Sequence, residues 1–158
     1  MITRTRGRRQ GVTLMELLAV VILMGILAVV GIARFGRSAS ANFGSNGEAR
    51  MLSLSMLRAR RLAITTGDNH FIQFDAAAPT AATQYNVMQR TGSGDVLVEG
   101  PHLLNSDVTV VASEAEMDFT FEGEADGAYQ VDFDGNGRSW QLNVVPITGA
   151  VSVAEVTP

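Results

Sequence analysis

Hydrophobic and polar positions divide the 158-residue chain into an apolar front, an amphipathic middle and an alternating back. From Leu17 to Ala33 there is no charged and no strongly polar side chain. The apolar segment, taken as 12–35, predicts a helix. At about 1.5 Å per residue, Val12 to Ala33 would extend roughly 33 Å, which matches the ~30 Å hydrocarbon core of a bilayer. Gly25 and Gly31 interrupt the run, as glycines commonly do in membrane helices.

Residues 36–47 (GRSASANFGSNG) are rich in Gly, Ser and Asn, a composition that predicts a flexible break. Ser45-x-x-Glu48 then reads as a capping box. It would restart an amphipathic helix over 48–66, with Gly67 as its stop. Ala49, Leu52, Met56, Ala59 and Ala63 recur at three- and four-residue steps and form one apolar stripe. Arg50, Arg58 and Arg61 fall on a different face. So short a helix is marginal alone in water, so its stripe must cover another apolar surface.

From Asn69 onward the period shifts towards two. The predicted strands are His70–Asp75, Gln84–Arg90, Asp95–Glu99, Val108–Ser113, Met117–Glu122, Ala128–Asp134, Arg138–Val145 and Ala150–Val156. Thr91-Gly92-Ser93-Gly94, Gly123 to Gly127 and Gly135-Asn136-Gly137 separate them as turns, the last a strong hairpin signal because Asn and Gly tolerate positive φ. Residues 76–83 read as loop. The predicted class is α+β: a long N-terminal helix, its first half membrane-spanning, packed on an antiparallel β-sheet domain at 67–158.

Charge sharpens this division. All 12 basic residues are Arg, and the net charge is −4. Residues 62–158 contain two Arg (Arg90, Arg138) against 14 Asp and Glu, or −12 for that part. Arg4, Arg6, Arg8 and Arg9 precede the apolar run, and Arg34 and Arg37 follow it. The denser leader is expected to stay cytoplasmic. Without cysteine, neither a disulfide staple nor thiol chemistry is available.

Glu16 is the exception in the apolar front. A carboxylate at the head of such a run is costly in lipid unless something pairs with it, and pairing removes much of that cost. Elsewhere candidate chemistry is thin. Asp132-x-Asp134-x-Asn136-Gly137 copies the first half of a calcium loop. However, the position needing a bidentate Glu holds Asn143, so an acidic hairpin tip is the plainer reading. His70 and His102 lack ligand-like neighbours. Trp140, Phe119, Phe121 and Phe133 are expected in the core. Arg58, Arg60 and Arg61 would solvate the helix, pair with the acidic sheet domain or contact a neighbouring subunit. There is no phosphate loop, zinc spacing or nucleophile elbow, so no enzyme activity and no cofactor are expected. Residues 141–158 contain no Arg or Lys, whereas phosphate binding needs cations; no nucleic-acid partner is expected.

The stretch Arg8-Arg9-Gln10-Gly11-Val12-Thr13-Leu14-Met15-Glu16 resembles the class III signal of type IV prepilins and type II secretion pseudopilins. That signal has a basic leader, a cleavage glycine, an apolar mature N-terminus and a glutamate at its fifth residue. The resemblance implies that 1–11 is a leader removed after Gly11 by a prepilin peptidase. It further implies that Val12 is N-methylated and that Glu16 serves assembly. The family usually has Phe where this chain has Val12, and often Pro where it has Ala33. The segment MLSLSMLRARRLAITTGDNHFIQFD, with Met117 to Phe121 and Ile147 to Val153, is similar to minor pseudopilins of the GspH/FimT family. A pilin-like fold is implied, as are fibre partners among other pseudopilins, the inner-membrane secretion platform and membrane lipid. The implied location is a single-pass inner-membrane anchor with a periplasmic C-terminal domain.

Other readings compete with this one. A minor type IV pilin and a monomeric membrane-anchored periplasmic binding domain share the anchor. Ala39-Ser40-Ala41 imitates a secretory cleavage site, but the apolar run is long and Arg34 and Arg37 would precede the cut. Arg8-Arg9 imitates a twin-arginine signal, with Gln10 and Gly11 where apolar residues belong.

Overall fold

The computed structural model describes residues 14–135 and 137–156, with the side chains of 28–43 left out of account. Two compact units divide the chain, Met1–Arg37 and Ser38–Pro158. One helix, α1 (Leu14–Thr66), precedes eight strands: β1 (His70–Phe74), β2 (Gln84–Thr91), β3 (Gly94–Leu103), β4 (Val108–Ala112), β5 (Glu116–Phe119), β6 (Tyr129–Gly135), β7 (Arg138–Val145) and β8 (Ala150–Val156). They form two four-stranded sheets, ordered β3-β2-β1-β5 and β4-β6-β7-β8. Every strand pairing is antiparallel.

In the second unit the predicted stripe is the buried face of the helix. Ala49, Leu52, Met56, Ala59 and Ala63 are fully buried. They join one core with Ile72, Val87, Met117 and Phe119 from the first sheet and Val110, Val131, Phe133 and Leu142 from the second. The single sheet domain expected from the sequence is thus two sheets sharing one core. Gly67 ends the helix as expected, with φ +79° and its N–H donating to the Ala63 carbonyl at 3.0 Å.

The expected break and restart at 36–47 differ in the structure, where helix continues through that segment. Ser45 is buried within the helix rather than capping a new one. Helix before it already supplies carbonyls to the backbone donors a cap would serve. The small residues instead permit close approach. A Cβ on Gly44 would lie 3.3 Å from Val108 Cγ2, and one on Gly135 would lie 3.2 Å from Ser45 Cβ. Glu48 does not close a capping box; its Oε1 accepts from the Asn105 N–H at 3.2 Å.

Two strand ends also move by more than one residue. β3 continues past Glu99 to Leu103, through register shifts opposite Tyr85 to Met88 and Gly100 at φ +128°. There a Cβ would meet Asn86 Oδ1 at 2.6 Å. β5 stops at Phe119 because the chain turns: the Gly123 N–H donates to the Thr120 carbonyl at 2.8 Å, with Gly123 at φ +84°. Phe121, expected in the core, is therefore 55% exposed. Phe119 and Phe133 are buried, and Trp140 packs half-buried against the core.

Candidate assembly surface

In the first unit the described side chains, Leu14 to Leu27, present leucine, valine, isoleucine and methionine to the outside on every face. Among the described residues no group buries them, and covering them would be worth about 25 cal/mol per Å² of apolar surface removed from water. Glu16 lies in the first turn of this helix, where backbone N–H groups favour a negative side chain. Gly11 and Val12 lie outside the described residues. Among the described residues no helix is long and apolar enough to cross a membrane; 14–27 is shorter than the ~20 residues a span requires.

In the second unit the outer face of α1 departs from the polar surface expected opposite a core. Met51, Leu54, Leu57 and Ile64 are exposed there, interleaved with Arg50, Arg58 and Arg61. Leu54, Leu57, Arg58, Arg61, Leu62 and Thr65 line a depression of about 430 Å³. Arg58 pairs with Glu99 on β3. The same carboxylate lies 3.4 Å from His102 Nε2, and His102 stacks on Tyr85 with ring centres 4.9 Å apart. Tyr85 in turn meets Ser55 Oγ of α1 at 3.0 Å. This chain of contacts ties the outer edge of the first sheet to the helix. On the opposite flank, Arg60 Nε donates to the Gly123 carbonyl at 2.7 Å.

The remaining candidates have structural surroundings. Arg90 approaches Glu116 at 2.6 Å, Asp118 at 3.3 Å and Asp95 at 3.7 Å, and its guanidinium stands 4.5 Å from the centre of the Phe71 ring. Burial pushes the Asp118 carboxyl above its ordinary range, and Arg90 offsets this only in part. His70 is buried, with Nδ1 2.9 Å from the Asp68 carbonyl. Asp132 and Asp134 face outward from β6. Asp132 accepts from Gln130 and Gln141 and Asp134 from Ser139 at 3.2 Å. Asn136 lies outside the described residues. Among the described residues no group of three or more His, Cys, Asp and Glu is placed to hold a metal.

Several contacts escape a reading by sequence. Gly149, at φ +57°, packs so tightly on the Gly123 carbonyl that a Cβ in its place would overlap the oxygen. An isolated glycine between strand patterns does signal a tight approach, but not its partner. The exposed helix face is legible as Arg50, Arg58 and Arg61 lying off the stripe; its leucines give no comparable signal.

The fold is shared with solved pilin-like proteins. The minor pseudopilin EpsH from the type 2 secretion system of Vibrio cholerae superposes with a TM-score of 0.58 at 13% identity, over 71% of this chain and 97% of that one. A second EpsH structure gives 0.55 at 10% identity, over 75% and 99%. The type IV minor pilin FimU of Pseudomonas aeruginosa gives 0.57 at 15% identity, over 70% and 87%. No protein-family model matches the chain, and no curated protein sequence matches it. At these identities the likeness establishes the architecture: a pilin-like α+β fold of one helix against antiparallel sheets.

Proposed function

We propose that this protein is a non-enzymatic fibre subunit, a minor pseudopilin of a type II secretion system, which assembles through its N-terminal helix to support export across the outer membrane. The observation that carries this reading is the combination of a pilin-like fold with Glu16 in the first turn of an exposed apolar helix. In the proposed pathway the basic leader remains cytoplasmic, the helix spans the inner membrane and the sheet domain is periplasmic. A prepilin peptidase cuts after Gly11, and Val12 becomes the methylated N-terminus. Its ammonium then pairs with Glu16 of a neighbouring subunit at the secretion platform. A buried ion pair favours one axial stagger because an unpaired charge there is expensive.

The likeness to FimU, nearly equal to that to EpsH, keeps a minor type IV pilin as the second reading. Deleting the gene separates the two: loss of secreted enzymes with normal surface pili supports the first, and loss of pili with normal secretion supports the second. Mass spectrometry of the native N-terminus tests both. Methylated Val12 is the expected first residue; a chain that retains Met1, or begins after Ala41, overturns the proposal. Glu16→Val is expected to leave insertion and cleavage intact while reducing incorporation into fibres.

A further inference from the structure

The two sheets end on β3, β5, β4 and β8, and three of these edges are blocked. Along β4 the preceding loop supplies partners: the Ala82 N–H donates to the Val110 carbonyl and the Ala78 N–H to the Ala112 carbonyl, both at 2.8 Å. Along β5 the Asp118 N–H donates to the Tyr129 hydroxyl at 3.2 Å, and the Asp118 carbonyl accepts from the Asp126 N–H at 3.1 Å. β3 is interrupted by register shifts, by Gly100 at φ +128° and by Pro101, which has no N–H to offer. Bulges and prolines of this kind keep an edge from recruiting further strands. β8 has none of these devices. It pairs with β7 in unbroken register from Ala150 to Val156 and contains neither proline nor glycine. Its one charge, Glu155, is met by Arg138 at 3.2 Å.

The register also fixes where the main-chain groups of β8 point. The β6–β7 hairpin closes on Gly135 and Arg138 across two residues, and such a hairpin ends on a hydrogen-bonded pair. Bonded and non-bonded pairs alternate from there, so Ser139, Gln141, Asn143 and Val145 turn their main-chain groups towards β8. Their partners Val156, Ala154, Ser152 and Ala150 turn theirs back. Val151, Val153 and Glu155 therefore aim N–H and C=O groups away from the sheet, and among the described residues no backbone group meets them. Their side chains add a second demand. Val151 and Val153 pack against the core yet are only partly buried, while Ser152 and Ala154 are exposed on the other face. A further strand would have to set apolar side chains beside the two valines and polar ones beside Ser152 and Ala154.

We infer that β8 is an acceptor edge, to which an extended segment of a different protein adds as a fifth strand of the second sheet. That segment alternates apolar with polar residues and carries basic ones. Ser38–Pro158 holds six Arg against 15 Asp and Glu, so charge favours a basic partner and opposes a second copy, whose edge-to-edge pairing would bring two acidic domains together. The edge lies wholly in the second unit and serves whether or not the chain enters a fibre.

Amide exchange in the full-length chain, held in detergent micelles, tests this with a fluorescent peptide that alternates valine with threonine and has an arginine at each end. Without peptide, the Val151, Val153 and Glu155 amides should exchange rapidly with solvent, and those of Ser152 and Ala154 slowly. Saturating peptide should slow the first three by about tenfold or more. The same residues reordered with the valines grouped should bind about tenfold more weakly. Val153→Pro removes an outward N–H where an edge strand admits proline and should weaken binding about tenfold, whereas Val153→Ala keeps the N–H and should lose no more than about threefold. No binding, binding that leaves the three amides unchanged, or equal binding by the reordered peptide overturns the inference. Protection that rises with protein concentration in the absence of peptide makes a second copy the occupant and overturns the assignment to a different protein. If Val153→Pro does not fold, exchange in the unaltered chain decides alone.

Discussion

Arg60 Nε donates to the carbonyl oxygen of Gly123 at 2.7 Å, linking helix α1 to a turn far along the chain. Gly149 packs over this bond with no room for a side chain: a Cβ would overlap the same oxygen and sit 2.9 Å from Arg60 Nε. Its φ of +57° is also disfavoured for residues with a Cβ.

Gly149→Ala is therefore expected to destabilise the globular unit by about 2–4 kcal/mol, combining backbone strain with overpacking. Gly47→Ala makes the comparison, since nothing lies within 4 Å of a Cβ there. In mid-helix it should gain about 0.5–1 kcal/mol. Urea denaturation of both variants measures the contrast, and equal midpoints would refute it.

Leu52 and Leu54 lie on one helix with opposite fates, the first fully buried and the second exposed. Leu52→Ala should cost about 2–5 kcal/mol, whereas Leu54→Ala should change monomer stability by no more than ~0.5 kcal/mol. Thermal unfolding of the two variants distinguishes them. A large loss at Leu54 would mean that its side chain supports the monomer.

Arg90 holds Glu116, Asp118 and Asp95 together. Arg90→Met leaves these carboxylates facing one another and removes the charge above Phe71. A loss of about 1–3 kcal/mol is expected near neutral pH, moderated because the guanidinium is partly exposed. It should shrink in acid as the carboxylates protonate. A pH-independent loss would point to packing alone.

Asp75 and Asp118 should give stability opposite slopes with pH. Burial tends to raise the Asp75 carboxyl, but hydrogen bonds from Thr83 and Gln84 outweigh it and hold the group below its ordinary value. Its contribution is present above the unfolded value and is lost as pH falls through the folded one. Asp118 is raised by burial, so its contribution is full below the unfolded value and is lost as pH rises through the folded one. Relative to the parent, Asp75→Asn should become progressively less stable, and Asp118→Asn progressively more stable, between about pH 3 and 6. Denaturant midpoints across that range check the signs; parallel curves for the two variants would contradict the assignment.

Eight strands and the helix stripe are readable from the sequence because alternation and three- to four-residue spacing are local properties. Their division into two sheets is not, since it depends on which distant edges meet. Gly44 and Ser45 mark the same boundary. Small residues fit a loosened chain and a closely packed helix equally well, and the distinction lies with Val108 and Gly135. Phe121 resembles its buried neighbour Phe119 until the turn at Gly123 redirects the backbone. For the assembly surface, Glu16 stands out as the lone charge in an apolar run. The exposed leucines of α1 become informative only once the opposite face is known to be the core.

The two sheets grip α1 along a single longitudinal seam, from Ala49 to Ala63. Tension applied along the helix axis would load those contacts together in shear, rather than peeling them apart in turn. The globular unit is thereby suited to being pulled or pushed by its helix without unravelling, a mechanical asymmetry that a force directed across the seam would not encounter.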